Sequence, residues 1–178
     1  MGLANFPPAG KVSAAAITSV SDSTQQNPLS IFGYVDSSGR WSVVKYYQSA
    51  ASIRQGAVLQ HALGSAAYVL REAVLAQTEA GDTCRGIAAA AVSNTGYYSF
   101  AFVAGYCPAI FFPSTHDTNV PYRMATGGAG SGYLQAMLNA TYGSSTSPKN
   151  PLAVAIALAS AADSGTIVDA GLIFGWLM

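Results

Sequence analysis

Residues 86–105, GIAAAAVSNTGYYSFAFVAG, carry the clearest local structural signal in the chain. Two apolar runs, 87–92 and 97–103, flank the polar tetrapeptide SNTG at 93–96. Apolar runs on both sides of a short polar turn that ends in glycine are typical of a β-hairpin. The segment therefore predicts two antiparallel strands in the middle of the chain, joined by a turn at 93–96.

The region before this segment predicts a second hairpin. Residues 31–35 and 41–47, IFGYV and WSVVKYY, are rich in the β-branched and aromatic side chains that strands favour. The loop between them, DSSG at 36–39, has the Asp, Ser and Gly residues that tight turns use. Residues 57–63 predict a third strand, whereas in 66–78 a helical spacing of apolar residues competes.

The C-terminal region predicts a further hairpin, with strands at 153–160 and 166–174 around a turn at 162–165. Its turn and several of its alanines match the central hairpin position by position. Between the two hairpins, we expect a long loop at 113–132 and a short ordered piece at 133–138. Related hairpins predict a β-barrel or sandwich in which few strand edges stay open.

The predicted fold class is therefore all-β: a small β-barrel or sandwich with at most one short helix. Residues 1–28 are rich in Ser, Ala, Gln and Pro and have no long periodic segment. Because proline disfavours regular structure around it, this segment predicts an extended N-terminal arm. The length of 178 residues suits one domain, which we place at residues 29–178.

The composition narrows the possible functions. The chain is 51% hydrophobic and 9% charged, with a formal net charge of zero. Disordered chains have the opposite balance, so disorder is excluded. Nucleic-acid binding is disfavoured because no run of Lys or Arg is present to neutralise phosphates. Zero net charge protects a lone monomer poorly against association, so we expect part of the surface to be covered by another protein.

The sequence predicts no membrane partner and no targeting signal. The most apolar stretch, 152–178, contains Asp163, Asp169 and a turn signal, whereas a membrane helix needs ~20 uninterrupted apolar residues. We interpret it as two strands. The two cysteines, Cys84 and Cys107, are too few for a disulfide scaffold and suggest synthesis in a reducing cytosol.

The cysteines lie on either side of the central hairpin. If that hairpin turns about Thr95, residues whose numbers sum to about 190 or 191 face each other, which would bring Cys84 close to Cys107. A shift of the register by one residue would instead put the two side chains on opposite faces. We expect two nearby reduced cysteines, with a disulfide as the alternative.

No catalytic, cofactor-binding or metal-binding residues are predicted. The only crowding of catalytic residue types is STHD at 114–117, where adjacent side chains of an extended loop point apart. His61, His116 and the cysteines lack the short spacings of zinc sites. The glycine-rich segment at 127–132 lacks the ending of a phosphate-binding loop. The carboxylates are scattered, and nothing selects a glycosidase pair from them.

Aromatic residues are the more informative candidates. Tyrosine is favoured at protein interfaces because its ring is apolar and its hydroxyl can hydrogen-bond. Sugar-binding platforms use aromatic residues as well, so two interpretations stay open. With the apolar residues of the arm, the candidate interface residues are Phe6, Val12, Ile17, Tyr46, Tyr47, Tyr106, Tyr122 and Tyr133.

The order of elements from about Lys45 onward resembles a known family. The matching segments are KYY at 45–47 followed by IRQGAVL at 53–59, RGIA at 85–88 followed by NTGYYSF at 94–100, and NPLAVAIALA at 150–159 followed by the strand at 167–174. In this order the chain is similar to the small capsid decoration (cement) proteins of tailed bacteriophages. It departs from them in its longer N-terminal region and in an insertion at 111–132.

The resemblance implies a viral structural protein without enzymatic activity, which is made in the host cytoplasm and sits on the outer surface of the capsid in the virion. Its implied partners are the major capsid protein and further copies of itself, as a homo-oligomer. A trimer is the expected state, because decoration proteins often occupy three-fold positions. The alternative is a receptor- or carbohydrate-binding β-module of a phage tail or head fibre.

Overall fold

The computed structural model describes residues 10–21, 24–61, 69–72, 86–112, 121–124, 134–136, 155–157 and 166–172, with side chains in 10–21, 24–61 and 86–107. The described part consists of one short helix and eleven strands. These are β1 (Lys11–Val12), α1 (Ala14–Ile17), β2 (Ile31–Val35), β3 (Trp41–Ser49), β4 (Val58–His61), β5 (Val69–Glu72), β6 (Gly86–Ala88), β7 (Tyr98–Phe112), β8 (Pro121–Met124), β9 (Leu134–Ala136), β10 (Ala155–Ala157) and β11 (Thr166–Leu172). The predicted all-β class is confirmed.

Five of the strands pair in a closed ring. β3 pairs with β5, β5 with β4, β4 with β6, β6 with β7, and β7 returns to β3. All of these pairings are antiparallel except the one between β3 and β5. We call these five strands the ring. A closed circuit leaves its own strands without an open edge, which protects them from pairing with another chain.

The remaining strands extend outward from β3 and β7. The N-terminal half of β3 pairs with β2, which in turn pairs with β1. From Gly105 onward, β7 pairs with β11, and the sheet continues through β10 and β8 to β9. β3 and β7 are therefore shared between the ring and the outer sheet, and their mutual pairing joins the two parts.

Side chains from every described side of the ring fill its interior. Tyr47 and Ala101 point inward from β3 and β7, and Leu59 points inward from β4. The full cluster of buried residues is Tyr47, Ile53, Ala57, Leu59, Ala88, Val92 and Ala101. Three alanines and one tyrosine suit a narrow interior, because one large ring fills the space that several small side chains leave.

The opposite face of β3 and β7 carries a second cluster, which we call the aromatic layer: Phe32, Tyr34, Tyr46, Tyr98, Phe100 and Phe102. Its rings meet edge-to-face, tilted or stacked, with centroids 4.8–6.1 Å apart. Aromatic pairs in such geometries stabilise a fold by about 0.5–1.5 kcal/mol beyond the area that they bury. Where they belong to the ring, β3 and β7 are thus packed on both faces.

The described part of the arm crosses the aromatic layer. It begins beside β2, where Lys11 is paired with Gly33, and reaches the start of β7, where Ser21 is paired with Tyr98. In between, Ser13 caps α1 by accepting a hydrogen bond from the Ala16 amide, and the last helical residue, Ile17, is buried. The division into an arm and a separate domain stays a prediction, but these arm residues are packed against the rest of the chain.

The predicted hairpins are present. β2 and β3, β6 and β7, and β10 and β11 each pair antiparallel, and β4 lies within the predicted third strand. β9 lies within the short ordered piece predicted at 133–138.

Residues 69–72 settle the open choice at 66–78 in favour of a strand, and the prediction of a long loop at 113–132 is wrong. The apolar residues of 66–78 also fit a helical spacing, but residues 69–72 form the strand β5 because they pair with β3 and β4. The long loop predicted at 113–132 contains β8, which pairs with β9 and β10. Pro121 is the first residue of β8, a position at which strands accept proline.

The predicted register around the cysteines is also wrong. Ile87 pairs with Phe102 and Ala88 with Ala101, so opposed residue numbers sum to 189. The connection between β6 and β7 is not a tight hairpin turn, because Val92 within it pairs with Ile53, which lies outside the hairpin. Cys107 is buried and lies opposite Ala170 of β11. Cys84 lies outside the described residues.

Removing the Tyr46 hydroxyl should loosen the arm. This hydroxyl shares a hydrogen bond of 2.9 Å with Ser21 Oγ and accepts one of 3.3 Å from the Gln26 amide. We expect Tyr46→Phe to cost about 1–2 kcal/mol of unfolding free energy and to speed amide exchange across residues 10–30. Urea unfolding and hydrogen-exchange mass spectrometry measure the two effects.

The matched control is Tyr98→Phe. The Tyr98 ring stacks on that of Tyr46, but its hydroxyl makes no hydrogen bond in the described part of the chain. This variant should leave exchange in the arm unchanged. Equal effects of the two substitutions would contradict the anchoring role of the Tyr46 hydroxyl.

Candidate interaction surface

Most of the described residues that were predicted for an interface are buried inside the chain. Ile17, Tyr46, Tyr47 and Tyr106 are buried, and Val12 is half-buried. Phe6, Tyr133 and the side chain of Tyr122 lie outside the described residues. In this conformation the four buried side chains have no surface to offer a partner, and the exposed apolar surface lies elsewhere.

Tyr47 illustrates the difference between the predicted and the observed role. Its side chain is fully buried in the ring, next to Ser99 on the paired strand. Burial raises the pKa of Tyr47, and its hydroxyl has no hydrogen-bond partner among the residues that the structure describes. The side chain therefore stays a neutral phenol, and it acts as the largest filler of the ring.

The exposed apolar surface lies on the outer face of the β2–β3 hairpin. Trp41 is 61% exposed, and Val35, its partner across the hairpin, is 48% exposed. Along β3 the same face is exposed at Trp41 and fully buried at Tyr47, where the strand enters the ring. A large exposed apolar residue next to another one is a feature that calls for a functional explanation.

Strand register defines the extent of this surface. Lys11, Gly33, Val43 and Ala104 form one row across β1, β2, β3 and β7, because paired residues point to the same side of a sheet. The Val35–Trp41 row and the Ile31–Lys45 row lie on either side of it. We call this set the open face: Lys11, Ile31, Gly33, Val35, Trp41, Val43, Lys45 and Ala104, all of them exposed or half-exposed.

A hydrogen-bonded loop fixes the tip of the hairpin. Asp36 Oδ1 accepts from the amides of Ser38 and Arg40 at 2.8 and 2.9 Å, and Oδ2 accepts from Arg40 Nε at 2.7 Å. The Asp36 amide also donates to the Arg40 carbonyl, and the Gly39 amide donates to the Asp36 carbonyl. One carboxylate thus orders the whole turn, and the strands that carry Val35 and Trp41 leave it in a defined register.

Contacts with β7 hold the same tip from the other side. The Arg40 guanidinium lies 3.7 Å from the centre of the Tyr106 ring, within the range of a cation–π interaction. Ser42 Oγ donates a hydrogen bond to the Tyr106 carbonyl. A Cβ atom at Gly105 would lie 2.7 Å from the Trp41 carbonyl oxygen, so only glycine allows this approach. The exposed Trp41 therefore stands on a rigid support.

The pKa of Asp36 reflects these contacts. Burial raises it, but hydrogen bonds from the amides of Arg40 and Ser38 and from the Arg40 side chain outweigh that effect, and the pKa lies below the usual aspartate value. The carboxylate is consequently ionised at neutral pH, and its charge is balanced by Arg40.

A second, polar feature lies beside the arm. A shallow groove of about 590 Å³ runs between α1 and the segment that leads to β2. Its lining residues are Ala16, Ser19, Val20, Ser21, Gln26 and Asn27. Hydroxyl and amide groups can hydrogen-bond a polar ligand, and no ionisable group is among the described residues that line the groove.

The residue types considered for chemistry lie apart or outside the described ranges. In the part of the chain that the structure describes, no three His, Cys, Asp or Glu side chains are grouped as metal ligands would be. The segments at 114–117 and 127–132 lie outside it. None of the helices in the described ranges is long and apolar enough to cross a membrane.

Comparison with known proteins finds similarity among solved structures. No protein-family model matches the chain, and no curated protein matches it. The chain is similar to the crystal structure of the N base of head fiber gp8.5 in bacteriophage phi29, with 10% sequence identity and a TM-score of 0.45. The similarity covers 72% of this chain and 92% of that one. Likeness at this level assigns neither fold nor function.

Glycine substitutions should show that the tip needs its close contact with β7. Gly39 and Gly105 have nearly the same positive φ, +78° and +79°, but a Cβ at Gly39 would meet nothing within 4 Å. Gly39→Ala should cost about 1–2 kcal/mol from the backbone conformation alone. Gly105→Ala should cost clearly more, since it also displaces the Trp41 backbone. Urea unfolding of both variants tests this, and equal costs would contradict it.

Acid should release the loop at the tip. Because the folded pKa of Asp36 is lowered, its carboxylate stabilises the loop above the unfolded value of about 3.9, and this contribution is lost as pH falls through the folded pKa. The Ser38 and Arg40 amide signals in ¹⁵N NMR should shift with a midpoint below the usual aspartate range. Asp36→Asn, which keeps Oδ1 as an acceptor, should abolish this titration. A midpoint at or above 3.9 would contradict the assignment.

Proposed function

We propose that this chain is a non-enzymatic structural protein of a tailed-bacteriophage virion, which binds the outer surface of the assembled capsid and stabilises it as a decoration protein. The resemblance in the order of elements from Lys45 onward supports this role. The structural observation that carries it is the open face, where Trp41 and Val35 are exposed on a firmly held hairpin. Its partner in this role is the major capsid protein.

The physical basis of such stabilisation is binding alone. Each Å² of apolar surface removed from water contributes roughly 25 cal/mol. A protein that buries this surface only against the assembled shell shifts the equilibrium toward assembly by mass action. A support that is already ordered avoids part of the entropy cost of docking. The loop of Asp36 and the contacts of Arg40 and Gly105 give the open face such a support.

The alternative function is a receptor- or carbohydrate-binding module of a phage tail or head fibre. The polar groove beside α1 favours it, because Ser19, Ser21 and Gln26 offer the hydroxyl and amide groups that bind sugars. Tyr46 and Tyr47 favour neither function, since both are buried. In this alternative, copies would occur only at the tail or on fibres.

Purified protein should bind capsid shells in many copies. Shells assembled from the major capsid protein of the same phage are mixed with the protein and separated by sedimentation, and bound copies are counted by quantitative gel densitometry. We expect saturable, shell-wide binding and a higher temperature of shell disruption. Failure of the protein to bind shells, together with binding to a glycan array, would favour the alternative.

The proposed assembly includes a homotrimer. Closed three-fold symmetry would use one pair of patches three times. Sedimentation equilibrium, run with and without shells, measures the state. A protein that stays monomeric in both conditions would contradict the trimer without affecting shell binding.

A further inference from the structure

We infer that residues 1–9 of the same chain lie over the open face while the protein is free, with Phe6 on the apolar side chains around Trp41, and that the capsid shell displaces them. This inference rests on the proposed function, in which the shell takes the open face. It adds what occupies this face before the shell does, and it gives Phe6, a predicted interface residue, a defined contact.

The segment joins the described structure at the edge of the open face. The Gly33 amide donates a hydrogen bond of 3.0 Å to the Gly10 carbonyl, and the next residue, Lys11, is paired with Gly33. Gly33 belongs to the central row of the open face, together with Lys11 itself. Residues 1–9 are therefore tethered directly beside the surface that they cover.

The described arm already takes the other face of the hairpin. After β1 the chain continues into α1, where Ile17 is buried, and then pairs Ser21 with Tyr98 across the aromatic layer. On the open face, by contrast, Trp41 is 61% exposed. For a segment that packs next to Gly10, the open face is thus the neighbouring apolar surface that the described arm leaves uncovered.

The segment is long enough to reach the centre of the face. Val43 lies two strands from β1 in the row of Gly33, which places it about 10 Å across the sheet. Four extended residues, the spacing from Phe6 to Gly10, span about 13 Å. Phe6 therefore reaches Val43 and the side chain of Trp41, which lies two residues before Val43 on the same face of β3.

The composition of the segment matches that of the face. Residues 1–9, MGLANFPPA, contain no charged side chain, and Phe6 is followed by two prolines. The centre of the face consists of Val35, Trp41 and Val43. Because proline fixes its φ angle, a Pro-Pro pair is ordered at a low entropy cost, and surfaces with exposed aromatic rings commonly bind such segments. Phe6 adds a large apolar ring for the same surface to bury.

The tether favours the same chain over another copy as the source of the segment. A segment joined to its own binding site by a short connection has an effective concentration in the millimolar range. Copies of the protein at micromolar concentration compete poorly with it. The shell then binds chains whose open face is uncovered, so its apparent affinity is reduced by the fraction of chains that are uncovered at any time.

The test measures how accessible Trp41 is to acrylamide in the free protein, from the quenching of its fluorescence. Phe6→Ser removes the aromatic contact, and Asn5→Ser is the matched control at the neighbouring polar residue. The other tryptophan of the chain, Trp176, also contributes, so Trp41→Phe in each background gives its share for subtraction. Near-ultraviolet circular dichroism and thermal melting check that each variant folds.

We expect the quenching constant of Trp41 to rise about twofold or more in Phe6→Ser, because the covered population is lost, and to stay unchanged in Asn5→Ser. Unchanged quenching in Phe6→Ser overturns the inference. A wild-type Trp41 that becomes better shielded between about 5 µM and about 200 µM protein also overturns it, since the segment of another copy is then the occupant.

Shell binding tests the displacement and separates this inference from the proposed function. Phe6→Ser should bind the capsid shells about three- to tenfold more tightly than wild type, because no segment has to be displaced, whereas Asn5→Ser should bind as wild type does. Equal or weaker binding by Phe6→Ser overturns the displacement. Absence of wild-type binding overturns the proposed function, while acrylamide quenching still decides whether the segment covers the face.

Discussion

The pairing of β3 with β7 is the constraint on which the rest of the structure depends. It runs from Ser42–Gly105 to Gln48–Tyr98, and both strands are packed on both faces where they belong to the ring. Tyr47 and Ala101 fill the ring, while Tyr46 and Phe100 build the aromatic layer. A slip of one residue would exchange the two sets, so ring and layer can form together only in this register.

The same register also determines which surface stays exposed. Tyr34 and Trp41 lie on opposite faces of the β2–β3 hairpin, and the arm crosses only the face of Tyr34. The other face is exposed or half-exposed as far as Lys45, beyond which β3 enters the ring. Trp41 is therefore exposed because the described arm lies on the opposite face of β3 and because the ring covers the Trp41 face only beyond Lys45.

The sequence predicts the local part of this fold and little of the rest. The turn residues at 36–39 act within a few positions, and the β2–β3 hairpin follows from them. The antiparallel pairing of β6 with β7 was predicted as well, but the connection between them is longer than the predicted turn at 93–96. The pairing of β5 with β3 is not local, and it overrides a helical spacing at 66–78. The exposure of Trp41 does not follow from the sequence for a related reason. Along β3, Trp41 and Val43 alternate with Val44 and Tyr46, so both faces are apolar, and the sequence of β3 alone does not show which face is buried.

The most direct test of the account is a cryo-electron microscopy reconstruction of the virion at a resolution that shows side chains. The account predicts density for this chain at symmetric positions over the whole shell. In that density, Trp41 and Val35 should face the major capsid protein, and residues 10–21 should lie on the aromatic layer of the same chain. Density confined to the tail or to fibres, or a shell-bound chain with Trp41 facing solvent, would contradict it.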